Sequence, residues 1–266
     1  MKKFFFFSSI VTLACIFLAC TGNSSATNSK DDKQTTAPDP PSGSPGGSGK
    51  DMFYEYKLTA SSKEMSIQGD TKIYISAKGD MRGEMNMASS FKGNSSSMPI
   101  VTIGHANKPD ESIYIDDSAK TYSYNHFNDS DFNTGEKIKT ISVAKVGEEK
   151  ILGYNSVHAR VITQKSIGIF YNDVDTLDIW RSDDVPFLAA VKDLFQKFEA
   201  KTGNMMYSPD VVNQLKQMGC DGFMTKLEIH SKRSSTSEVL VKVEHRDLSS
   251  SMFQVPAGYK ETKSDF

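Results

Sequence analysis

The sequence predicts a mainly β protein of the α+β class: a strongly curved antiparallel sheet of about ten strands, with two helices against its concave face. Three observations predict it. Apolar and polar residues begin to alternate with a period of two at Asp51, that period recurs almost to the carboxy terminus, and two stripes of helical spacing interrupt it late in the chain.

The first 50 residues stand apart from that pattern. Lys2 and Lys3 precede an uncharged run from Phe4 to Ala19, and the composition turns polar at Thr21. A basic start, an apolar core and a small residue at its end describe a secretory signal peptide over residues 1–19, with cleavage after Ala19. A spanning helix needs roughly 20 predominantly apolar residues, and this run is shorter.

Cys20 follows Leu18-Ala19 directly, an arrangement that resembles a bacterial lipobox, with Phe17 where Leu is usual. The resemblance implies that the Cys20 thiol is acylated and anchors the chain, since two or more acyl chains hold a protein stably on a bilayer. Cys15 belongs to the same apolar run, but cutting there would leave Ile16-Phe17-Leu18 as the leading residues. Thr21 is not the Asp of inner-membrane retention, so the expected location is the cell envelope, on the outer membrane, with the periplasmic face favoured over the cell surface.

Residues 20–50, rich in Ser, Thr, Gly, Pro and Asn, hold almost nothing that a core would accept and read as a flexible tether. At about 5 to 6 Å times the square root of its length, the tether reaches about 30 Å. Residues 51–266 then form a single β domain.

Within that domain, "DMFYEYKLTA" puts Met52, Tyr54, Tyr56 and Leu58 on one face and Glu55, Lys57 and Thr59 on the other. The same period marks "DTKIYISAKGD", "GEMNMAS", "MPIVTIGH", "ESIYIDD", "KTYSYNHF", "NSVHARVIT", "TLDIWRS", "GFMTKLEIHSK" and "SEVLVKVEHRDL". "IYIDDSAKTYSY" reads as a hairpin turning over Asp116 to Lys120.

The first helix, starting at Pro186, carries Phe187, Leu188, Val191, Leu194, Phe195 and Phe198 at helical spacing and stops near Gly203. The second opens with Ser208 and Pro209 and sets Val211, Val212, Leu215 and Met218 on one side. Either stripe is core by default and the wall of an apolar cavity as the sharper reading. The named candidates for that wall are the six residues of the first helix with Val212 and Leu215.

Chemistry-bearing motifs are scarce. The five histidines are spread one to a segment, with His158, His230 and His245 expected on solvated strand faces. "YNDVDTLD" gathers Asp173, Asp175 and Asp178 but lacks the glycine and the closing acid of a calcium loop, so it reads as an acidic turn. No nucleophile elbow occurs, and "SPGGSGK" has the wrong glycine spacing for a phosphate loop. A net charge of -2, with basic residues scattered, gives no nucleic-acid footprint. Cys220 remains as a lone thiol and is expected to be a buried small hydrophobe. No catalytic residue, metal or cofactor is assigned.

The combination "EKILGYNSVHARVIT", "TLDIWRSDDVP", "GFMTKLEIH" and "SMFQVPAGYKE" resembles a family of uncharacterised lipoproteins common in the Bacteroidota, a domain of unknown function, over roughly residues 51–262. That family is similar to the lipoprotein carriers of the LolA, LolB and RseB type. The resemblance implies a half-barrel of about eleven antiparallel strands whose helix-covered concave side encloses an apolar cavity. Ser156 stands where relatives often have Cys, so a disulfide there is lost.

The expected function is that of a non-enzymatic, lipid-anchored envelope protein. It would be a monomer, held to the membrane by its anchor, and would bind a lipid, an acyl chain or an acylated protein. Two alternatives stay open. One is a protein-interaction module using exposed aromatics such as Tyr122, Tyr124 and Phe127, and the other is a hydrolase built from scattered acids and histidines.

Overall fold

The structure is a computed structural model that describes residues 50–126, 137–167, 171–186 and 209–263. Its strands are β1 (Asp51–Ser62), β2 (Met65–Ile75), β3 (Met81–Phe91), β4 (Asn94–His105), β5 (Lys108–Asp116) and β6 (Thr121–His126), followed by β7 (Lys137–Ile151), β8 (Tyr154–Ile167) and β9 (Tyr171–Ser182). A helix, α1 (Pro209–Gln217), precedes β10 (Phe223–His230) and β11 (Ser234–Arg246), and a 3-10 turn at Ser250–Phe253 precedes β12 (Lys260–Glu261).

All twelve strands join one sheet in the order β12-β6-β5-β4-β3-β2-β1-β11-β10-β9-β8-β7. β12 and β7 end that order without pairing, so the sheet is open. Two antiparallel meanders, β1 to β6 and β7 to β11, meet where β1 pairs with β11 from Asp51 opposite Arg246 to Ser62 opposite Ser234.

Turn chemistry fixes the hairpins. Lys92-Gly93 and Leu152-Gly153 both have positive φ, 50° and 83° in the first pair and 50° and 87° in the second, as tight two-residue turns between twisted strands require. Between β5 and β6 the Asp116 carboxylate accepts from the backbone amides of Ser118 at 2.9 Å and Ala119 at 3.0 Å. The predicted turn at Asp116 to Lys120 therefore forms where the sequence places it.

The strand count exceeds the ten to eleven expected, for two local reasons. β7 carries an extra residue at two points, between Thr140 and Ser142 and between Lys145 and Gly147, which breaks the period of two. β12 has two residues, too few for any alternation, and pairs with β6 in parallel, an exception to the antiparallel expectation. Among the described residues there is one α-helix, α1. The predicted helix bearing Phe187, Leu188, Val191, Leu194, Phe195 and Phe198 lies outside the described residues, as do Ala19 and Cys20.

The sheet buries apolar residues on both faces under different covers. On one face, here the inner one, α1 lays Val211 and Leu215 on Ala159, Val161, Leu177, Ile179 and Leu227 of β8 to β10. On the other, the segment after β11 brings Leu248, Met252, Phe253, Val255 and Tyr259 over Phe53, Tyr74, Val101, Ile103, Ile113 and Ile115. The carboxy-terminal segment thus seals the outer face of the first meander, and α1 the inner face of the second.

Candidate functional site: the inner face of the sheet

Register carries the inner face across the molecule, because residues directly opposite one another project to the same side. One transverse row begins at Met98 of β4, which opposes Met87 of β3, and continues through Gly69 and Leu58. From Leu58 it crosses the seam to Glu238 of β11, then Leu227, Ile179 and Ala159. Glu238 is the acid in an otherwise apolar line.

Around that row the face is rich in soft and branched side chains. Leu58, Ala60, Ile67, Met85, Met87 and Ile100 form one buried cluster, with Met65 partly buried beside it. Met52, Tyr54, Tyr56, Ile73, Ile75, Val185 and Leu240 form a second, flanked by Met81 and Phe223. Met65, Met81, Met85 and Met87 therefore gather on this face.

At Gly69 an added Cβ would meet the Asn86 carbonyl oxygen at 2.3 Å, closer than any side chain tolerates. Glycine lets β2 and β3 approach there and leaves a gap in the row between Leu58 and Met87.

Besides the Asp175–Lys165 ion pair at 3.1 Å, the inner face carries polar groups of two kinds. Tyr54 and Tyr56 reach across it and donate to the carbonyl oxygens of Pro186 at 2.7 Å and Met224 at 2.8 Å. Burial pushes both phenols well above their ordinary range, so both stay neutral donors. The other kind has no hydrogen-bond partner: the hydroxyls of Thr71, Thr140 and Thr163 and Oε2 of Glu238. Glu238 is 3 % exposed, and burial pushes its carboxyl up to about 8. A carboxyl desolvated without a cation keeps its proton near neutral pH.

The outer face treats its acid differently. Asp178 accepts from Arg160 through Nε at 2.8 Å and Nη2 at 3.0 Å, and from His158 Nε2 at 2.7 Å. Burial raises its pKa, but those hydrogen bonds and charges outweigh burial and hold the carboxyl below the ordinary range. His158 also stacks on Trp180 with ring centroids 4.0 Å apart, and Lys226 lies 4.2 Å from the centre of the Trp180 ring. His158 is thus clamped between Trp180 and Asp178 instead of lying on a solvated strand face, while His230 and His245 are exposed.

Other sequence expectations find places as well. Leu215 is buried and Val212 half-buried, both packed on β8 to β10, and Val211 of the same helix is wholly buried. Cys220 is buried in that cluster, with its thiol 3.5 Å from the Val157 carbonyl oxygen. Ser156 is buried and bonds the Thr225 hydroxyl at 2.8 Å.

Asp173, Asp175 and Asp178 lie within β9 and not in a turn. Asp175 and Asp178, three residues apart on one strand, fall on opposite faces and bond different cations, Lys165 at 3.1 Å and Arg160. An open depression of about 520 Å3 sits at the turns before β3 and β5, lined by Lys78, Asp80, His105, Ala106, Asn107 and Lys108. Sequence reasoning did not single out Glu238.

These features define an open, mainly β domain with a two-sided core and a largely apolar inner face that buries the Glu238 carboxyl without a cation beside it. The chain belongs to the family described as a domain of unknown function, DUF4412, whose pattern it matches over residues 55–259. No curated protein matches it.

Among solved structures it is similar to LprF from Mycobacterium bovis, with 9 % identity and a TM-score of 0.32 over 78 % of this chain and 90 % of that one. It is similar to the LolA superfamily protein NE2245 from Nitrosomonas europaea, with 5 % identity and a TM-score of 0.32 over 77 % and 90 %. A third is a putative outer membrane lipoprotein-sorting protein domain from Vibrio parahaemolyticus, with 8 % identity and a TM-score of 0.29 over 77 % and 89 %.

Proposed function

We propose that the protein is a non-enzymatic, lipid-anchored lipoprotein of the cell envelope, tethered to the outer membrane through acylated Cys20 and facing the periplasm. In this reading the sheet curves as a half-barrel about its inner face. That face receives a lipid, an acyl chain or an acylated protein, and the protein works as a monomer. The observation that carries it is the inner row from Met98 to Ala159 with its methionine-rich surroundings, since unbranched thioether side chains adapt to flexible apolar ligands. An acylated Cys20 gives the chain its route to the bilayer in this reading.

The rival protein-interaction module relied on exposed aromatics. Tyr122 and Tyr124 instead meet edge to face at 5.7 Å and pack against the outer-face core beside Tyr259, while Phe127 lies outside the described residues. That weakens the rival.

The test is lipid extraction and mass spectrometry of the purified full-length protein beside its Met85→Trp variant, with circular dichroism to confirm that the variant folds. Near-stoichiometric acyl lipid on the wild type and its loss from the variant would support the proposal. Equal lipid on both would refute binding at this face.

A further inference from the structure

Glu238 sits where a leucine would complete the row, flanked across the strands by Leu58 and Leu227. Buried polar atoms in folded proteins are almost always hydrogen-bonded, and each exception calls for an explanation. Here four unpartnered oxygens, on Glu238, Thr71, Thr140 and Thr163, share one face. The nearby Tyr56 hydroxyl is committed to the Met224 carbonyl, and the Arg181 charge acts on Tyr56. Because burial between Leu58 and Leu227 lets the carboxyl keep its proton near neutral pH, it offers an unused O–H donor in apolar surroundings.

Resting on the proposed binding of an acyl ligand to the inner face, we infer that Glu238 is the specificity-determining donor of that face, taking the carbonyl oxygen of an ester- or amide-linked acyl chain. The chemistry follows from what such a ligand is: a hydrocarbon chain joined to its carrier through one strong acceptor. An apolar face by itself cannot tell an acyl ester from an alkane. One satisfied hydrogen bond in a desolvated setting discriminates by about tenfold.

The experiment is equilibrium dialysis of the full-length protein in maltoside micelles against radiolabelled methyl palmitate and heptadecane, with retention by empty micelles subtracted. Wild type is expected to prefer the ester about tenfold. Glu238→Leu should bring that preference close to one while holding heptadecane at least as well, and Glu238→Gln, whose amide still donates, should keep a preference. Circular dichroism of each variant verifies the fold. Equal retention of both probes by wild type, or an ester preference that survives in Glu238→Leu, overturns the assignment of Glu238 and leaves the inner face as a binding surface. Retention of neither probe by wild type overturns the acyl-ligand reading itself, and the role of Glu238 with it.

Discussion

Asp178 on the outer face of the sheet and Glu238 on the inner face are buried to the same depth, 3 % exposed, and ionise in opposite senses. On the outer face Asp178 meets a guanidinium and an imidazole and is held as a carboxylate. On the inner face Glu238 meets leucines and is held as an acid. Burial by itself therefore does not decide charge; the groups facing the carboxyl do. The outer site stabilises the fold at neutral pH, whereas the inner one costs stability, the usual mark of a residue kept for function.

That contrast breaks most visibly at Glu238. Its folded carboxyl keeps a proton up to about 8, whereas the unfolded chain releases one near the ordinary value of 4.5. Between those values the unfolded state binds fewer protons, so stability falls as pH rises across the window. Glu238→Leu should remove that slope and stabilise the protein by several kcal/mol at pH 8 and above, with little change below pH 4.5, as read by calorimetry across pH. Unchanged slopes would mean that the acid is charged or solvated in place. Facing this site are Tyr56, which burial keeps neutral, and, beside Tyr56, the Arg181 guanidinium.

Breaking the outer site should have the smaller effect. Arg160→Ala is expected to destabilise the protein at neutral pH in urea unfolding, by less than a fully buried charged hydrogen bond would because the arginine is itself half exposed. The sign is opposite to that at Glu238. With a depressed folded pKa, the Asp178 contribution is present above the ordinary carboxylate value and is lost as pH falls through the folded one. The difference between wild type and Arg160→Ala should shrink in acid. A constant difference would assign the arginine to packing.

The least effect is expected from Tyr56→Phe, which removes the hydrogen bond to the Met224 carbonyl and should cost about 1 kcal/mol. It sharpens the comparison because the slope between pH 4.5 and 8 should persist in that variant. If the slope disappears with Tyr56→Phe, the titration belongs to the tyrosine's surroundings and not to Glu238.

Much of the sheet was legible because alternation is a local signal: β1 to β6 and β8 to β11 each show it within a few residues. β7 hid behind its two bulges, which place Ile141 and Val146 as extra, exposed residues and reset the period twice. β11 shows the same effect in a way that matters for the site. Val239, Val241 and Val243 share a parity that suggests one buried face, yet the bulge opposite Glu55 and Tyr56 leaves Val241 exposed and turns Glu238 and Leu240 inward. No reading of that strand alone would put the acid inside, because the bulge is set by pairing with β1 across the whole domain.

What the sequence by itself determined is everything carried by nearest neighbours: the strands and their turns, the stripe of α1, the lone thiol as core, and a family pattern from residues 55 to 259. The tertiary structure alone decided which face each side chain joins and what it meets there. It gave Asp178 its arginine, His158 its tryptophan and Glu238 no partner. Those outcomes depend on register between residues far apart in the chain, 180 positions for 58 and 238, and register is a property of the assembled sheet.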